Sequence, residues 1–349
     1  VPVAIVAALL AAEVGARVVG PNIERTAGSE ERAFIKADQI ARRGQTDVVI
    51  FGSSETAGGL IPSVIEAEVP ALDGAYNAAL AGARLDLTRD WADRIALPGL
   101  QPEVVVIGMQ PTAVVAFDET DFDPAADTAP AYRAAFDQID PGGLGSLGYQ
   151  LRQRSDLIRY RPYLRSPTAL WSGVRGTLAG GDDEPADDGR MDWETETDPD
   201  RVLRLTAADG EVLEYRSPGT TDGDNAMAVA AFTAAGSLPY DFEQLEAVFA
   251  VVRDHGAIPV VALAPVDREV LDAAGADLSG LDRAVAELEA WVAERDVPLL
   301  DRFTERWPAA WFHDRQHVAE AGAERWSRDV GAWLAELCAA GRLGDACAP

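Results

Sequence analysis

The stretch from Asp47 to Glu55, reading DVVIFGSSE, sets the strongest limit on what this chain can fold into. Four apolar residues, three of them β-branched, run straight into Gly52, Ser53 and Ser54, and Gly58, Gly59 and Pro62 follow closely. A short apolar run bounded by glycine predicts a buried parallel strand that ends in a tight turn before a helix. Apolar runs recur at Gly74–Tyr76, Glu103–Ile107, Ile258–Leu263 and Val297–Leu300. Helical spacing fills Glu30–Arg43, Ile61–Glu68, Leu85–Ile95, Phe242–His255, Leu278–Arg295 and Ala319–Ala340. Strand and helix in alternation predict an α/β chain. We expect a three-layer α/β/α sandwich around a five-stranded parallel sheet.

The rhythm stops after the third strand. Residues 117–241 are rich in Asp, Gly, Pro and Arg, and they read as one large insertion with no internal repeat. Within it, Gly180 to Asp200 is nearly all acidic and small, the composition of a surface loop. Val202–Leu213, with Asp209 and Gly210 as its turn, reads as a hairpin. Arg152, Arg154, Arg159, Arg161 and Arg165 crowd one part, either as a solvated helix face or as a contact for an anionic glycan. The chain thus divides into an apolar N-terminal segment (1–20), a linker and helix (21–44), a first core part (45–116), the insertion (117–241), a second core part (242–340) and a tail (341–349).

Val1 to Gly20 is almost wholly apolar, broken only by Glu13 and Arg17. That is roughly the 20 residues that span a bilayer, and the two charges, four apart, can pair or snorkel. We read it as a membrane anchor that holds the domain outside the cytoplasm; an amphipathic helix packed on the domain is the alternative. The formal net charge is −28, and Lys36 is the single lysine. Such a surface repels nucleic acid and anionic lipid. Cys338 and Cys347 lie close together in sequence, and outside the cytoplasm they can bridge. Two free thiols remain the alternative.

Three histidines exist: His255, His313 and His317. His255 follows a helix, a common capping place. His317 has Asp314 three residues before it, at the expected entry to the last helix. That spacing lets a carboxylate reach the imidazole Nδ1, fix its tautomer and leave Nε2 to take a proton from a serine. Ser54, at the carboxyl end of the first strand, stands where open α/β sheets bind ligands. Acyl transfer also needs donors for the oxyanion: the Ser54 N–H, the Gly82 N–H, and the side-chain amides of Asn77 or Gln110. No Gly-x-Ser-x-Gly elbow, P-loop or His-rich metal cluster occurs in the sequence. No metal or cofactor is expected.

These residues together resemble the SGNH/GDSL hydrolase superfamily. Its first block ends on the nucleophile; here it reads Gly52, Ser53, Ser54, with Ser53 in place of the usual Asp. The second-block glycine looks like Gly82, and the fifth-block Asp-x-x-His is Asp314 to His317. The third block departs from its Gly-x-Asn-Asp pattern, and by strand position Gln110 falls where the Asn belongs. The resemblance covers residues 45–115 and 240–340 and implies a flavodoxin-like sheet. The Gly-Ser-Ser variant with an N-terminal anchor looks most like the extracytoplasmic branch, which includes alginate O-acetyltransferase-like and D-alanyl-lipoteichoic acid biosynthesis proteins. It implies a serine esterase or O-acyltransferase acting on acylated cell-envelope polysaccharide, with a membrane acyltransferase as a possible partner. A lipid or small-ester hydrolase and a non-catalytic envelope glycan-binding or assembly protein are the alternatives. The last of these predicts Ser54 beyond hydrogen-bond distance of His317.

Overall fold

A computed structural model describes residues 2–19, 28–116, 129–139, 151, 154–159, 171, 174–175, 177–178, 206–213, 229 and 232–347. The acidic stretch 180–200 lies outside them, as do Arg152, Arg161 and Arg165 and the start of the expected hairpin.

The fold is mixed α/β, built on the five-stranded parallel sheet that the sequence predicts. Its strands are β1 (Val48–Phe51), β2 (Ala75–Asn77), β3 (Val104–Met109), β4 (Ile258–Leu263) and β5 (Leu299–Leu300), in the order β2-β1-β3-β4-β5. Every pairing is parallel, with Val48 opposite both Ala75 and Val104. Successive strand residues point to opposite faces. Val49, Phe51, Val105, Ile107, Val261 and Leu263 therefore enter one apolar layer, while Val48, Ile50, Val104, Val106, Val260 and Ala262 enter the other.

The helices follow in chain order: α1 (Pro2–Val19), α2 (Gly28–Arg43), α3 (Ser54–Gly59), α4 (Pro62–Glu68), α5 (Leu85–Trp91), α6 (Leu97–Leu100), α7 (Ala129–Ile139), α8 (Asp156–Arg159), α9 (Glu243–Asp254), α10 (Arg268–Ala273), α11 (Ser279–Ala293) and α12 (Glu320–Ala339). The first layer is covered by α2, α5, α7, α9 and α11, the second by α4 and α12, whose Trp326 is fully buried. The expected helix Leu85–Ile95 is divided, because Ala92–Ala96 winds as a π-helix between α5 and α6. Pro98 offers no N–H to the carbonyl four residues back and its ring crowds that turn, so a wider turn there relieves the clash.

The insertion leaves β3 and returns to β4, two strands that are direct neighbours. Its ends are zipped together: Ala116 N donates to Pro239 O, Asp241 N to Val114 O, and Val115 bridges Tyr240 antiparallel. The expected hairpin is present in its described part, where Thr206 bridges Val212 antiparallel around a turn at Asp209 and Gly210. Cys338 and Cys347 form a disulfide that closes the tail onto α12.

In α1, Ile5, Val6, Leu9, Leu10, Val14 and Val18 are each more than half exposed. No helix among the described residues is long and apolar enough to cross a membrane.

Candidate active site

In the sheet order β2-β1-β3 the chain steps from β1 to one side and then crosses to the other, so a crevice opens at the carboxyl ends of β1 and β3. Ser54 stands there, as the first residue of α3 with Ser53 as its N-cap. Two glycines permit this placement. A Cβ on Gly52 would lie 2.4 Å from Gly108 O, and one on Gly108 would lie 2.5 Å from Thr56 Cγ2. Their bare backbones let Thr56, and α3 with it, settle directly over β1 and β3.

His317 comes from the loop before α12. Its Nε2 lies 2.9 Å from Ser54 Oγ, and its Nδ1 lies 2.7 Å from Asp314 Oδ2. Asp314 Oδ1 accepts the N–H groups of Gln316 and His317, both at 2.8 Å. The route differs from the helical turn that the sequence suggests. Helix α12 starts only at Glu320, and residues 313–317 form a tight loop closed by His313 N donating to His317 O and by an antiparallel bridge between Phe312 and Val318. A three-residue spacing brings carboxylate and imidazole together in either geometry. The side-chain–backbone bonds of Asp314 favour the loop.

Burial works against a charged imidazole at His317, but the charge and hydrogen bond of Asp314 outweigh it and leave its pKa above 6.5. Burial likewise opposes the Asp314 charge, yet His317 and two backbone N–H groups hold that carboxyl well below the usual range. The pair is therefore built to carry an imidazolium beside a carboxylate. Glu55, next to Ser54, is an acidic neighbour absent from the sequence reading. Burial raises its pKa, while the Ser53 hydroxyl donates to it and the charge of His317 draws it down. Only position betrays it in sequence, since the residue after Ser54 shares its turn. The positive charge of Arg315 lowers the His317 pKa in turn.

The expected oxyanion donors divide. Gly82 lies in the loop after β2 at φ +70°, a conformation that suits glycine. That loop runs beside the nucleophile turn, where Leu80 N donates to Gly52 O at 3.0 Å. Asn77 is committed elsewhere: its Nδ2 donates to the carbonyls of Thr56 (3.0 Å), Ala57 (3.3 Å) and Leu60 (2.8 Å), and its Oδ1 accepts Ala79 N–H at 3.1 Å. Its amide holds α3 in place and is spent in doing so, which corrects the expected oxyanion role. Gln110 Nε2 donates to Gln316 O at 3.3 Å and so ties the end of β3 to the histidine loop. The insertion also reaches this region, where Val212 N donates to Ala57 O at 2.9 Å and Val212 packs with Ala57, Ala79 and Ala81. His255 caps α9, as its position suggests, and lies 3.2 Å from Asp93, apart from the serine. Among the described residues no group of three or more His, Cys, Asp or Glu side chains is placed to hold a metal ion.

No protein-family model matches the chain, and comparison with curated proteins gives no match.

Proposed function

We propose that the chain is a serine esterase or O-acyltransferase of SGNH type that acts on acylated cell-envelope carbohydrate. The observation that carries this reading is the continuous hydrogen-bonded line from Ser54 Oγ through His317 to Asp314, at 2.9 and 2.7 Å. The distance across Ser54 and His317 argues against the non-catalytic alternative, which needs that contact broken.

In this mechanism Ser54 Oγ attacks the ester carbonyl while His317 Nε2 takes its proton. Asp314 holds the imidazolium, and the N–H groups of Ser54 and Gly82 are the proposed oxyanion donors. Collapse of the tetrahedral intermediate breaks the ester C–O bond, and the leaving alkoxide takes the proton back from His317. Water or a sugar hydroxyl then gives its proton to His317 and attacks the acyl-serine carbonyl; the acyl–Oγ bond breaks and His317 returns the proton to Ser54 Oγ. The acceptor alone separates hydrolysis from transfer. No cofactor enters these steps. We also infer an extracytoplasmic setting at the cell membrane, supported by the Cys338–Cys347 disulfide and the exposed apolar helix α1.

Stopped-flow hydrolysis of 4-nitrophenyl acetate tests the chemistry. The wild-type protein should release a burst approaching one equivalent of nitrophenolate. Ser54→Ala and His317→Ala should each lower turnover by about 10³-fold or more, and a fluorophosphonate should label Ser54. Equal background rates in all three proteins, with no labelling, would sink the proposal.

A further inference from the structure

We propose that the insertion joins α1 in a surface that seats in a lipid bilayer, with Leu151, Ile158, Trp171 and Leu178 as membrane-contact residues. The inference rests on the membrane setting proposed above and is independent of the ester chemistry.

Every exposed large apolar side chain among the described residues belongs either to the six of α1 named above or to these four positions of the insertion. The sheet domain contributes none. The two segments are locked to each other. Glu13 Oε2 accepts the Ser155 hydroxyl at 2.7 Å and Leu157 N–H at 3.2 Å, and Oε1 accepts Asp156 N–H at 3.0 Å. Arg17 pairs with Glu13 at 3.2 Å and with Asp156 at 3.5 Å, while Thr177 Oγ1 donates to Val18 O at 3.3 Å. The insertion thereby engages the two charges of α1 through residues 155–157 and meets the helix again at Thr177, with Ile158 and Leu178 next in the chain to these contacts.

The exposure of α1 says what kind of partner suits it. Residues 5 to 12 are exposed without exception, and at about 100° per residue they point in every direction around the axis. A groove on a partner protein covers one face of a helix; a fluid hydrocarbon phase covers all of them. A carboxylate whose oxygens are filled by donors also resists that phase less than a bare one. Trp171 fits the same setting, since indoles favour the boundary between lipid and water. With a net charge of −28, the chain should favour zwitterionic over anionic lipid.

The test is flotation of the full chain with phosphatidylcholine vesicles, beside a Trp171→Glu, Leu178→Glu double variant. Both side chains are more than 60% exposed, at 61% and 81%, so thermal unfolding should be unchanged. The wild type should float, and the double variant should bind at least about tenfold more weakly. Equal flotation of the two would overturn the role of the insertion, and a wild type that stays at the bottom would overturn the whole surface. A wild-type dimer in sedimentation, dissociated by the double substitution, would give the surface to a second copy and overturn the proposal too. Flotation without any nitrophenyl acetate hydrolysis would leave this inference standing and remove only the esterase reading.

Discussion

At Asp314 one carboxylate does two things, because Oδ1 shapes the loop through two backbone N–H groups and Oδ2 orients the imidazole. Asp314→Asn keeps the first acceptor and loses the charge. We expect kcat/KM to fall by about 10³- to 10⁴-fold. The pH profile should show the cause. In the wild type the base is active when neutral, so kcat/KM should rise with pH through a midpoint above 6.5, the ordinary imidazole value. Without the carboxylate charge that raises the pKa, the residual activity of the variant should titrate at lower pH. Asn77 makes a different prediction, since its amide serves three carbonyls of the nucleophile segment. Asn77→Ala leaves buried acceptors short of donors and should cost about 2–3 kcal/mol in urea denaturation. The meeting of Ser54, His317 and Asp314 was legible because each sits in a short local pattern. The role of Asn77 was not, because its partners are set by how α3 folds back over the strand ends.

At the scale of elements, all five strands fall within two residues of their sequence-predicted bounds, because short apolar runs bounded by turn residues have few other uses in a chain of this kind. The last strand shrinks from Val297–Leu300 to Leu299–Leu300, a half-exposed pair at the sheet edge, where less burial marks its limits. The C-terminal tail is held by a covalent bond. The bridged cysteines are nine residues apart, a loop whose closure stabilises the fold by about 2.5 kcal/mol in the chain-entropy picture. Replacing both by serine should lower stability in denaturant by about that amount while leaving ester hydrolysis unchanged, since the bridge sits at the far end of α12 from His317. Dithiothreitol should reproduce the stability loss in the wild type.

For the molecule as a whole, the single lysine has an unusual place. Lys36, on α2, is buried and donates to Asn77 O at 2.6 Å and to Gly210 O at 2.9 Å, so it joins a helix, the sheet edge and the insertion. Burial lowers its pKa to about 7 from 10.5, against the opposing charge of Asp209. Between those two values the folded chain holds an amine where the unfolded chain still binds a proton. Stability should therefore rise with pH across that window and level off above it. Below about 7 both states are charged and the gain is absent. Lys36→Met removes this term, so denaturation against pH should be flatter in the variant than in the wild type; equal slopes would refute it. No sequence pattern points to such a lysine, because its two acceptors lie 41 and 174 residues away. The zipped stem at residues 114–116 and 239–241 has a consequence of another kind. Because its two ends meet beside neighbouring strands, the insertion leaves and rejoins the sheet at one place, while α7 packs into the core and Val212 docks beside the Ser54 segment. A change within the insertion should therefore reach Ser54 by way of Val212 and Ala57, even where the stem keeps the order of the strands intact.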